Sequence, residues 1–123
     1  MKRLALCLGL ASLTFAGFAA GRATADTADG VTLVVRHTVA SFDKWKVGYD
    51  GNEPARKKFG WTSATVLTDA GDPTHVVVIG KVKSLVQARD FTSSPSLKET
   101  MKKIGVISPP DIAFLKVVEQ KTY

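Results

Sequence analysis

The chain has 123 residues, enough for one domain with a modest core and too few for two of ordinary size. Its formal charge of +6 includes Lys2, Arg3 and Arg22, and no acid precedes Asp26, so residues 26–123 carry only +3. A charge of that size excludes a nucleic-acid footprint, and a single cysteine, Cys7, excludes an internal disulfide framework.

Met1-Lys2-Arg3 is a basic start, residues 4–20 are apolar or small, and Ala23-Thr24-Ala25 closes the run with an A-x-A pattern before Asp26. That is the pattern of a secretory signal peptide. Gly9, Ser12, Thr14 and Gly17 interrupt the apolar run, which favours cleavage over a membrane anchor. Cys7 stands at the start of that run, whereas lipid attachment would need it at the end. The expected organisation is a leader at 1–25 and one exported domain at 26–123, periplasmic or secreted, with no second apolar run of spanning length. Without cysteine, that domain depends on its core and on any partner subunit.

Residues 31–39, VTLVVRHTV, read as the first strand, rich in β-branched side chains. Alternation puts Val31, Leu33, Val35, His37 and Val39 on one face and Thr32, Val34, Arg36 and Thr38 on the other. Ser41 is a plausible N-cap with Asp43 in the first turn, and Phe42, Trp45 and Tyr49 form one apolar stripe of the helix that follows. Gly48, Gly51 and Pro54 predict a break near residues 50–52. A second short helix, capped by Asn52, would run to Phe59 and stop at Gly60. Residues 61–68 read as a second strand, 69–73 as a dense turn, and 74–82 as a third strand, an antiparallel hairpin. Ser84-Leu-Val-Gln87 is a capping box. The helix it opens ends near Thr92, because a residue before proline avoids the helical region. Pro95 opens another helix, in which Leu97, Met101 and Ile104 share a face and which Gly105 ends. Residues 111–119, DIAFLKVVE, read as a fourth strand.

The order β-α-β-β-α-β is the ferredoxin-like pattern: an α+β fold with a four-stranded antiparallel sheet and its helices on one face. The opposite face should be polar if it met water. Instead, Val77 and Ile79 oppose Val76, Val78 and Val82, while Leu115 and Val117 oppose Ile112, Phe114 and Val118. A second copy of the chain on the helix-free face is the simplest cover, so a homodimer is expected.

Several stretches together resemble a known group: residues 35–39 (VRHTV), 42–46 (FDKWK), ARKKFG ending at 60, 91–97 (FTSSPSL), 101–106 (MKKIGV) and 109–115 (PPDIAFL). They are similar to small proteins of the dimeric α+β barrel superfamily, which includes antibiotic-biosynthesis-type monooxygenases. The resemblance covers roughly residues 31–119. It implies two sheets packed into a barrel across a dimer, with a ligand pocket between each subunit's own sheet and helices. Some relatives oxidise aromatic polyketides without metal or flavin. Others degrade haem with an Asn, a Trp and a His, a triad that does not map here residue by residue, since Asn52 is the only asparagine and suits a cap.

His37 and His75 are the only histidines, and pairing of the first and third strands would bring them near each other. They read either as polar groups of an apolar pocket or as a core histidine and a strand-end surface residue. His37, Trp45, Tyr49, Trp61 and His75 are the candidate ligand-binding residues, with Phe91 as a further wall; plain core packing is the alternative for each aromatic. The basic clusters at residues 56–58 and 102–103 suit helix C-termini and solvent. Two histidines without a defined carboxylate do not make a metal site. No G-x-S-x-G, Walker loop, G-x-G-x-x-G, C-x-x-C or H-E-x-x-H motif follows residue 25, so no cofactor is expected. The expected function is a module binding a small, partly aromatic or apolar ligand; the alternative is a cofactor-independent monooxygenase or related enzyme using the same pocket.

Overall fold

The computed structural model describes residues 30–123; the expected leader lies outside them. Strand β1 (Val31–Thr38) is followed by helices α1 (Phe42–Gly51) and α2 (Glu53–Lys58), strands β2 (Trp61–Asp69) and β3 (Asp72–Val82), helices α3 (Leu85–Ser93) and α4 (Pro95–Lys103), and strand β4 (Asp111–Leu115). The four strands form one antiparallel sheet in the order β2-β3-β1-β4, the ferredoxin-like arrangement. No helix among the described residues is long and apolar enough to cross a membrane.

The local signals act as their chemistry requires. The Ser41 hydroxyl accepts from the Lys44 N–H at 3.4 Å, and the Ser84 hydroxyl accepts from the Gln87 N–H at 3.2 Å and donates to the Gln87 side-chain oxygen at 3.1 Å, capping the helix. Asn52 stands at the N-cap of α2 without a side-chain cap bond. Gly60 and Gly105 leave their helices at φ of 87° and 92°, the left-handed region where a Cβ is costly.

Two boundaries differ from expectation. The β2–β3 hairpin is tighter, with only Ala70-Gly71 between the strands. A register shift beside Asp69 accommodates Pro73, which has no N–H to give the ladder. Strand β4 stops at Leu115 instead of 119, and its last pair with β1 is Thr32↔Leu115. Val117 and Val118, expected on opposite faces of that strand, lie beyond it and are exposed.

The core sits between the sheet and the helices. Val31, Leu33 and Val35 of β1 and Val76, Val78 and Val82 of β3 pack against Trp45, Ala88, Phe91 and Leu97. Val34, Val77, Ile79 and Ala113 are half-buried on the other face, with Leu67 and Leu115 exposed beside them. The sheet is therefore apolar on both sides and covered by helices on one.

Candidate functional site

Four side chains form a ladder across the inner face of the fold. The His37 ring lies 5.7 Å from Trp45, Trp45 stacks on Tyr49 at 4.8 Å, and the Arg56 guanidinium stands 3.7 Å from the Tyr49 ring centre. β1 supplies the first member because odd positions face inward. α1 supplies the next two through i, i+4 spacing, and α2 supplies the last. Trp61 and Phe91 close the opposite wall, edge to face at 5.2 Å.

These residues line one cavity with Asn52, Leu97, Met101 and Ile104. The space in it open to water-sized molecules is about 50 Å³, room for a few waters. An aromatic ring enters only as lining side chains yield. Met101, unbranched and half-buried, is the one best suited to do so.

Three of the cavity's lining residues have polar atoms that lack protein partners. Both ring nitrogens of His37, the Tyr49 hydroxyl and the Trp61 indole N–H are buried without a hydrogen bond to any described residue. A buried polar group left in that condition costs about 1–3 kcal/mol, and here four such atoms belong to three residues that line one chamber. His37 is 8% exposed, and burial lowers its pKa from the ordinary 6.5, so the imidazole is neutral near pH 7. Burial raises the Tyr49 pKa against the opposing pull of Arg56 and Lys46, keeping the phenol protonated. The site thus holds a neutral base, a phenolic donor and an indole donor against aromatic walls.

Of the five residues expected to bind ligand, His37, Trp45, Tyr49 and Trp61 come together. His75 does not line this cavity, although the pairing of β1 with β3 does bring the two histidines near each other, as expected. His75 sits opposite Thr38 in the ladder, one position from the His37↔Val76 pair. A one-residue offset sends a side chain through the sheet. Both residues border a wide polar depression with Arg36, Thr38 and Asp69, but the His75 side chain is 55% exposed there, beside the carboxylates of Asp72 at 3.6 Å and Asp69 at 3.9 Å. The ring nitrogens of His37 are buried away from it.

Arg56 is the residue that sequence reasoning missed. Within Arg56-Lys57-Lys58 it read as solvated charge, yet it is 6% exposed and only the lysines reach solvent. The signal was periodicity: Phe42, Trp45, Tyr49, Asn52, Arg56 and Phe59 recur at alternating steps of three and four straight through the break. The break is one residue, and the Arg56 N–H still bonds to the Asn52 carbonyl at 3.3 Å, so the stripe keeps its phase.

Several solved structures share this architecture. SnoaB, a cofactor-independent oxygenase from Streptomyces nogalater, matches over 75% of this chain and 96% of its own, with a TM-score of 0.63 at 16% identity. A Bordetella bronchiseptica protein provisionally described as an antibiotic biosynthesis monooxygenase matches over 77% and 99%, with a TM-score of 0.61 at 15% identity. The chain shares the ferredoxin-like α+β fold of these monooxygenase-like structures. A Nitrosomonas europaea protein of unknown function has it too, over 76% of this chain and 94% of its own, TM-score 0.58, 14% identity. At such identities the likeness is one of fold, and this fold alone names no activity. No protein-family model and no curated protein matches the sequence.

Proposed function

We propose that the protein is a cofactor-independent oxygenase acting on a planar, electron-rich aromatic substrate in the cavity between sheet and helices. The observation that carries this reading is that three residues lining one aromatic-walled chamber, His37, Tyr49 and Trp61, carry four buried, unpartnered polar atoms. The fold shared with a structure described as a cofactor-independent oxygenase supports it. In such chemistry the substrate is itself the reductant. His37, neutral through burial, takes the acidic proton of an activated CH2 group. The carbanion passes one electron to O2, and the radical and superoxide couple to a C–O bond. His37 returns its proton to the peroxide, and loss of water leaves a carbonyl. The net change is CH2 + O2 → C=O + H2O. Tyr49 and Trp61 donate hydrogen bonds to the substrate's oxygens, and Trp45 packs on its ring.

The homodimer joined through the helix-free sheet face belongs to the same reading, supported by Val34, Val77 and Ile79 on that face. So does export, with cleavage after Ala25, supported by the A-x-A pattern. A binding module would use the same chamber without the proton transfer at His37.

The test is His37→Gln and Trp45→Phe, each measured for melting temperature, aromatic ligand uptake and oxygen consumption with electron-rich phenolic substrates in metal-free buffer. The expected result is oxygen uptake by the wild type and its loss in His37→Gln with ligand uptake retained. Ligand uptake without oxygen consumption across the panel makes the protein a binder. Both variants melting far lower, with unchanged uptake per folded molecule, makes these residues core.

A further inference from the structure

We infer that the ligand of this cavity is an aromatic carboxylate, and that Arg56 recognises its anionic group. The inference rests on the reading of the cavity as an aromatic site and adds the charge of what enters it.

A buried arginine normally has a carboxylate. Among the described residues Arg56 has none within ion-pair distance. The two acids closest along the helices are committed elsewhere: Asp50 to Lys46 at 2.7 Å and Glu53 to Lys57 at 3.0 Å, both on the exposed side. Of the five N–H donors a guanidinium carries, one is engaged, donating from Nη1 to the Tyr49 carbonyl at 2.8 Å. Burial weighs against the charged form of Arg56, and no neighbouring carboxylate within reach offsets it fully.

The guanidinium is nonetheless held in place. Its carbon stands 3.7 Å from the centre of the Tyr49 ring and 6.0 Å from that of Trp61, one N–H is tied to a carbonyl, and the residue lines the cavity. A planar fork of donors is the complement of a carboxylate, which it meets with two parallel bonds. Lys57 and Lys58, on the same helix, are exposed, so the inward position alone is built this way. A ligand that sets its ring against Trp45, Trp61 and Phe91 and its carboxylate against Arg56 gives this cation an anionic partner and fills the aromatic chamber together.

The experiment compares 2-naphthoate with its neutral isostere 2-naphthamide, by quenching of tryptophan emission, on wild type, Arg56→Gln and Arg56→Lys, with melting curves for all three. The expected result is at least a tenfold preference of the wild type for the naphthoate. That preference should vanish in Arg56→Gln and return in part in Arg56→Lys. Equal affinity of the wild type for the two probes overturns the inference and leaves the aromatic cavity standing. A preference that survives in Arg56→Gln also overturns it, placing the anion elsewhere. Binding of neither probe overturns the aromatic-site reading and this inference with it. Should Arg56→Gln fail to fold, the wild-type comparison and Arg56→Lys decide the matter.

Discussion

The indole of Trp61 lies across Gly80 and fills the space a side chain would occupy there. Gly80 is on the inward face of β3 between Val78 and Val82, where the fold otherwise demands bulk. Trp61 supplies that bulk from β2 and turns the result into a cavity wall. Gly80→Ala drives a methyl group into the ring, and Trp61 must swing away from Phe91. Overpacking of this kind costs about 1–3 kcal/mol, so the melting temperature should fall by several degrees and tryptophan emission should change. A variant with wild-type melting and emission would show that Trp61 is not pinned by Gly80.

Burial of His37 makes stability depend on pH with a definite sign. Its folded pKa lies below the ordinary 6.5, so the unfolded chain binds the proton more readily. That contribution is fully present above 6.5 and is lost as pH falls toward the folded value. Melting temperature should therefore drop between pH 7 and pH 5, and more steeply in the wild type than in His37→Gln. Parallel curves for the two proteins would remove His37 as the titrating group.

Ile79 lies near the middle of the helix-free face, paired with Val34 on one side and Thr65 on the other. Sedimentation velocity at micromolar concentration should give twice the chain mass for the wild type and the single chain mass for Ile79→Lys. A charge at the centre of an apolar interface is left without water or partner. A monomeric wild type would leave that face unexplained.

Intact-mass measurement of exported material should give a chain beginning at Asp26, lacking the first 25 residues. Retention of Met1 to Ala25 would make the apolar run an anchor.

The fold was legible wherever a residue's effect is local. The Ser84 cap, the Gly60 and Gly105 stops and the alternation of β1 each act within a few positions of themselves, and the structure agrees with each. The end of β4 was not legible, because LKVVE has strand chemistry, while the pairing with β1, which stops at Thr32↔Leu115, is set outside the segment. The site was half legible for the same reason. His37, Trp45 and Tyr49 follow from one strand and one helix. The placing of His75 needed the register between β1 and β3, and a sequence carries alternation without saying which phase turns inward. Arg56 was hidden by its company: two lysines suggested water, and only its phase on the stripe shared with Tyr49 and Phe59 spoke for the interior.

Strand β1 is one backbone thick, with the cavity on one side of it and the uncovered face on the other. Arg36 and His37 are neighbours in the chain and look out on different environments. Two kinds of selection are therefore interleaved along residues 31–38, changing over at every step. Substitutions at odd positions should disturb the chamber and leave assembly intact; those at even positions should do the reverse. A saturation scan of this strand, scored separately for ligand uptake and for association, should resolve into two combs offset by one tooth, and a drift in either would mark where the strand's twist lets one side reach the other.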